Sequence, residues 1–263
     1  MIHQEQNGVP YYTFEALADH EGIVHAIFTR LGGVSRPPFL ELNVGRLVGD
    51  DLAAVETNHR LIYETLGLSS RQVVTARQVH GDRVAIVSAD DRGRVVLATD
   101  ALITNTGGVN LMLRYADCLP IFLYDPETRA VGLGHAGWRG TAAGVARRMV
   151  STMVKDFGSN PSRIIAGLGP AIGPCCYQVG PEVVQTVKPT LEDWERALHH
   201  LGGNDFSLDL PEANRQQLMQ TGVRVVEISD MCTACHTDEF FSHRAERGAT
   251  GRFAAVMGIR ESR

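Results

Sequence analysis

Three side chains with metal-binding or nucleophilic chemistry each stand where a strand-like run breaks into a glycine or proline turn. They are His80 in Gln78-Val79-His80-Gly81, Cys118 in Ala116-Asp117-Cys118-Leu119-Pro120, and His135 in Gly134-His135-Ala136-Gly137-Trp138-Arg139-Gly140. Imidazole and thiolate both suit zinc. Three protein ligands leave a fourth tetrahedral position open, the arrangement of a catalytic rather than a closed structural site. The ligands stand 38 and 17 residues apart, unlike any local zinc-finger spacing, so only the fold can bring them together. The same residue types serve a second chemistry, with Cys118 as thiolate nucleophile and His80 or His135 as its base. A single buried histidine or cysteine can also be plain packing. Asp117 adjoins Cys118, but neighbours in an extended segment point to opposite faces, so it shares a site with Cys118 only if the chain turns there.

The elements that must position these residues follow from hydrophobic periodicity. Residues 23–28 are strand-like. After Asp50-Asp51, the positions Leu52, Val55, His59, Ile62 and Leu66 form one helix face, and Gly67 follows as C-cap. A strand is predicted over residues 73–79, ending at His80-Gly81. Residues 121–124 and 130–133 flank Asp125-Pro126-Glu127-Thr128-Arg129 as a hairpin. A long helix is predicted from near Gly140-Thr141 to Gly158, burying Val145, Met149, Val150, Met153 and Val154. Residues 164–168 and 223–228 are further strands, with a helix near 212–220 between them. Strands and helices do not alternate strictly. The expectation is an α+β fold of mixed β-sheets flanked by helices, as one domain over residues 1–263, rather than a doubly wound parallel sheet.

The composition sets outer bounds. At 263 residues, 44% hydrophobic and 21% charged, the chain can bury a real core. No apolar run approaches the roughly 18 residues that span a bilayer, and the start lacks a basic segment followed by an apolar one. A net charge of -5 argues against a nucleic-acid partner. The expectation is a soluble cytoplasmic protein with reduced thiols, no membrane contact and no nucleic-acid partner, its oligomeric state left open. Five cysteines suit no fully paired disulfide framework. Lys155 and Lys188 are the only lysines, leaving 23 arginines; this excess is read mostly as composition bias, although arginine grips planar anions bidentately as lysine cannot.

Several motifs are set aside. Cys232-Thr233-Ala234-Cys235-His236 has the C-x-x-C-H form of haem attachment, but that requires export, so it is read as coincidence. Adjacent Cys175-Cys176 rarely bridge each other and are read as structural. His199-His200 is placed in a solvated connection. Gly32-Gly33 and Gly107-Gly108 lack the rest of a dinucleotide fingerprint or P-loop.

The three ligand motifs together resemble the YfiH family, also called laccase-domain, multicopper polyphenol oxidase-like or peptidoglycan editing factor proteins. The likeness continues through Gly169-Pro170-Ala171-Ile172-Gly173-Pro174-Cys175-Cys176-Tyr177, Cys232-Thr233, Phe241-Ser242-His243-Arg244 and Gly251-Arg252. It runs from Phe28-Thr29-Arg30 to Gly258, and His-Ala-Gly-Trp-Arg-Gly is its most specific piece. The resemblance implies a YfiH-like fold and makes His80, Cys118 and His135 both catalytic residues and zinc ligands, with copper as an alternative metal. It implies cleavage of adenosine, inosine and methylthioadenosine with phosphate, and deamination of adenosine. It also carries an older laccase-like oxidase reading and a peptidoglycan-precursor editing role, which a cysteine hydrolase would accommodate.

Each activity makes its own demand. Zinc lowers the pKa of a bound water towards about 7, a route to displacing ammonia from C6 of adenine. No glutamate lies in the motifs to move the proton, so the acid–base group stays unassigned. Phosphorolysis needs phosphate held beside the ribose C1, a task for arginine. Arg244 is the first candidate, with Ser242 as a weaker partner. Arg139 can alternatively cap the following helix, and Arg252 can be a surface ion pair. Arg30 and Asn43 are pocket-lining loop candidates or plain turn residues. Trp138 either stacks on a purine or anchors the His135 turn. A multicopper oxidase would need several copper sites, and no His-x-His motif is present.

Overall fold

Strand parity divides the side chains between separate cores. Along Phe253–Ile259, the residues Phe253, Ala255, Met257 and Ile259 enter one core while Ala254 and Val256 enter another. Along Leu119–Asp125, Phe122 and Tyr124 join the first of these cores, whereas Leu119, Ile121 and Leu123 join a third. Such period-2 sorting on strands buried on both faces builds two face-to-face sheets with helices outside them. The structure is a computed structural model that describes residues 1–261.

One sheet has seven strands in the order Ile2–Gln6, Val9–Thr13, Ile23–Phe28, Phe253–Ile259, Asn110–Tyr115, Val73–Ala76 and Val95–Val96. The other has six, in the order Val225–Ile228, Ile165–Leu168, Leu119–Asp125, Ala130–Ala136, Ala101–Thr104 and Val84–Ile86. Both mix parallel and antiparallel pairings. The helix Leu52–Thr65 contributes Ile62 to the outer core of the seven-stranded sheet. The helices Val145–Phe157, Pro181–Val187 and Leu210–Gln220 cover the outer face of the six-stranded sheet. This is the expected α+β arrangement. Among the described residues, no helix is long and apolar enough to cross a membrane.

Local departures have local causes. The strand expected over 73–79 stops at Ala76. Beyond it the Gln78 side chain replaces the backbone ladder: its amide donates to the Arg114 carbonyl at 2.8 Å and accepts from the Arg114 N–H at 3.1 Å. The chain is thereby freed to turn into His80. The helix expected from 140 to 158 is two helices, Trp138–Ala143 and Val145–Phe157, divided at Gly144, whose φ of 80° belongs to the left-handed region. Val154 is exposed rather than part of the buried stripe. His199 and His200 lie in the strand Leu198–Gly202 of a small three-stranded sheet instead of a connection, although both are exposed as expected. The hairpin is present, its turn held by Asp125, which accepts from the Glu127 N–H at 3.0 Å and the Thr128 hydroxyl at 3.0 Å.

Candidate active site

The side chains of His80, Cys118 and His135 meet at one end of the gap between the two sheets. His135 follows Val131 and Leu133 at alternate positions of Ala130–Ala136, so it faces the inter-sheet core, directly across from Pro120. Cys118 immediately precedes Leu119–Asp125 and has the parity of Phe122 and Tyr124. His80 stands on the connection from Val73–Ala76 of one sheet to Val84–Ile86 of the other. Their ligating atoms lie within 4.8 Å of one another. The two imidazole rings are 4.9 Å apart and nearly perpendicular.

Asp100 organises this cluster and had no sequence signature, being a lone aspartate ahead of an apolar strand. It is fully buried. Its carboxylate accepts from Nδ1 of His135 at 3.0 Å and from the backbone N–H groups of Val79, His80 and Gly81 at 3.2, 2.9 and 2.8 Å. One carboxylate therefore orients the His135 ring, directing Nε2 towards the cluster, and holds His80 in the left-handed conformation with φ of 62°. The ring of Tyr115 lies 5.6 Å from that of His135, its hydroxyl donating to the Gly134 carbonyl at 2.8 Å.

The glycines of the His135 motif have steric reasons. A Cβ on Gly137 would stand 2.9 Å from the Cys118 sulfur and 3.5 Å from the His80 ring, filling the cradle between the ligands. A Cβ on Gly134 would strike Met149 of the overlying helix, and one on Gly140 would meet the Gly81 carbonyl at 2.9 Å. Burial pushes the Cys118 thiol up, but the charge on His135 and hydrogen bonds from His135 and His80 outweigh it and bring it to about 6. Burial pushes His135 down, and the Cys118 thiolate together with Asp100 outweighs that effect, bringing it to about 9. The thiolate is the form a metal takes. Convergent side-chain atoms, a fixed ring orientation and a cradle without a Cβ fit a divalent metal such as zinc.

Asp117 does turn, with φ of 80°, and it lines the cavity beside Cys118. Its carboxylate accepts from the hydroxyls of Thr233 and Ser242 at 2.8 and 2.7 Å and from the Arg244 N–H at 2.7 Å. It thus anchors the segment carrying Arg244. Ser242 is fully buried with its hydroxyl engaged on Asp117 and on the Ala245 N–H, so it shapes that turn and is not on the cavity wall. Asn43 is also fully buried, bonded to Gly45, Asp50 and Arg252. Arg30 pairs with Glu246 and the carbonyls of Leu40 and Thr237 while covering the Phe241 ring. For Arg30 and Asn43 the turn alternative is the one realised.

A cavity of about 900 Å³ opens beside the ligands. Arg139, Arg244 and Arg252 line it, and so do Arg46, Arg77, Arg94 and Arg114, four residues that no sequence motif singles out. Among the described residues only Arg46 of these seven has an ion-pair partner, Glu56. Burial pushes both Arg114 and Arg252 below the usual guanidinium range, with the charges of Arg46 on Arg114 adding to this. Trp138 and Tyr177 complete the walls, under the guanidinium groups of Arg139 at 4.3 Å and Arg244 at 5.2 Å. Trp138 also packs on the core of the six-stranded sheet, as an anchor of the His135 turn would.

The family model described as multi-copper polyphenol oxidoreductase laccase matches residues 24–260. The chain belongs to this laccase-domain family. Within it, the chain is 43% identical over 251 residues to the purine nucleoside phosphorylase YlmD of Geobacillus stearothermophilus, covering 91% of each. It is 35% identical to the purine nucleoside phosphorylase YfiH of Escherichia coli, covering 91% of this chain and 95% of that one. The crystal structure of YlmD from Geobacillus stearothermophilus superposes with a TM-score of 0.93 at 41% identity, covering 98% of both chains. The laccase-domain fold expected from the ligand motifs is therefore the fold present.

Proposed function

We propose that this laccase-domain protein is a purine nucleoside phosphorylase that holds zinc on His80, Cys118 and His135. In this reading it takes adenosine, inosine and methylthioadenosine with inorganic phosphate, and deaminates adenosine as a second activity. The observation that carries the reading is the arginine-lined cavity against the three ligands, six of its seven guanidinium groups having no carboxylate partner among the described residues. Unpaired cations around a concave site call for an anion, and a guanidinium matches phosphate bidentately. The cavity is also within the range of about 300–1,000 Å³ that encloses small ligands. The names of the relatives from Geobacillus stearothermophilus and Escherichia coli agree with this reading.

In phosphorolysis a phosphate oxygen bonds to the ribose C1 as the C1–N9 bond breaks, and the purine leaves with a proton. Arg114 and Arg252, held by neighbouring carbonyls, are suited to fix the phosphate, and Arg244 over Tyr177 to hold the sugar or phosphate edge. Asp100 keeps His135 and the His80 loop in register, and Asp117 keeps Arg244 in place. Zinc, when bound, supplies a Lewis acid able to stabilise developing negative charge at neutral pH. Alanine at His80, Cys118 or His135 is expected to abolish cleavage together with zinc binding at this cluster. Alanine at Arg252 is expected to raise the KM for phosphate by about tenfold or more, as loss of a charged hydrogen-bonding partner does. Undiminished phosphorolysis in metal-free protein would instead support Cys118 as nucleophile.

A further inference from the structure

We propose that Cys175, Cys176, Cys232 and Cys235 form a second metal centre, a closed four-thiolate zinc site tying together two loops at the wall of the cavity. The vicinal pair and the C-x-x-C pair are far apart in the chain, yet their four sulfur atoms lie within 4.8 Å of one another. Cys235 is 3.5 Å from Cys175 and 3.4 Å from Cys176, sulfur to sulfur. Zinc–sulfur bonds of about 2.3 Å in a tetrahedron put the sulfurs about 3.8 Å apart, close to this spacing. A disulfide, at about 2.05 Å, would join two of the four and strand the others.

Both loops are shaped for such a centre. In the first, the N–H groups of Cys176 and Tyr177 donate to the Gly173 carbonyl at 3.0 Å each, a tight turn that lets two consecutive cysteines approach one point. In the second, the N–H groups of Cys235 and His236 donate to the Cys232 carbonyl at 3.1 and 3.0 Å. The Gly173 N–H donates to the Cys232 sulfur at 3.2 Å, a bond that favours the thiolate. A Cβ on Gly173 would lie 3.2 Å from the Cβ of Cys232 and 3.4 Å from the Cys175 sulfur, so the close approach of the loops uses a glycine. Cys232 is buried, while Cys175 and Cys235 are exposed and give an ion access.

The centre is separate from the His80, Cys118 and His135 cluster but mechanically joined to the cavity. Tyr177 directly follows Cys176, and Arg244 donates to the carbonyls of Cys176 and Gln178 at 3.4 and 3.2 Å. Thr233, next to Cys232, donates to Asp117. Four thiolates leave no open position on zinc, so the site's work is structural: it holds the wall that carries Tyr177 and Arg244.

Metal analysis and X-ray absorption of reduced, zinc-loaded protein test this independently of any activity. About two zinc ions per chain are expected. The double variant His80→Ala, Cys118→Ala should retain one of them, with sulfur as its only neighbour. Cys235→Ala, at an exposed position, should lose that zinc, and Cys235→His should recover it because imidazole is also a zinc ligand. The inference is overturned if the double variant binds no zinc, if Cys235→Ala binds as much as the parent chain, or if iron with acid-labile sulfide is found at the four cysteines.

Discussion

Asp100 is the residue on which two of the three candidate ligands depend, through one bond to the His135 ring and three to the His80 loop. Asn at this position keeps the shape but removes the charge, and its NH₂ group cannot accept from N–H donors. Asp100→Asn is therefore expected to weaken zinc binding at this cluster about 10–100-fold, as outer-sphere substitutions at metal sites do. Competition against a chromophoric chelator measures this, and an unchanged affinity would remove Asp100 from the site's architecture. The candidate ligands could be picked out because each stands in a motif of its own, beside a glycine or a proline. Asp100 could not, because what distinguishes it is four donors from two distant segments, and none of them leaves a mark beside it in the sequence. For Asp117 the sequence posed a condition, a turn at Cys118, which the chain meets; its partners Thr233, Ser242 and Arg244, all distant in sequence, were not legible.

At the scale of elements, periodicity located the helix Leu52–Thr65 and the paired strands at the site, and side chains decided where they ended. Gln78 ends a strand by impersonating its next residue, an event that alternation of apolar residues cannot announce. Within Leu52–Thr65, His59 docks the helix on its neighbouring loop: one ring nitrogen bonds the Val44 carbonyl at 3.0 Å and the other the Tyr63 hydroxyl at 3.1 Å. Burial pushes His59 down to about 4, and does the same to His25 on the strand Ile23–Phe28. Both histidines bind a proton more readily in the unfolded chain, so their contribution to stability is level above pH 6.5 and is lost as the pH drops towards 4. Each contributes at most about 3 kcal/mol of that loss. Urea unfolding across this range, compared with His59→Gln, checks the assignment. The variant is expected to show a shallower acid limb, and an identical slope would mean that His59 does not titrate with unfolding.

The whole molecule does what no single segment can. Facing sheets bring residues 80, 118 and 135 to one edge of their shared gap, and loops, a strand and a helix ring that edge with guanidinium groups. The excess of arginine over lysine looked like composition bias because Arg46, Arg77, Arg94 and Arg114 share no motif. Their common property is the cavity, which exists only in three dimensions. The cysteines follow the same rule, since the two pairs carry separate and misleading local patterns until the loops close on each other. The account's central claim is that the cavity delivers phosphate to a purine nucleoside beside the His80, Cys118 and His135 cluster. Phosphorus NMR of zinc-loaded protein with inosine and inorganic phosphate tests it most directly, with hypoxanthine followed in parallel. The expected result is a ribose 1-phosphate resonance growing in step with hypoxanthine as phosphate is consumed. Hypoxanthine released with phosphate untouched, or no cleavage of inosine, would contradict it.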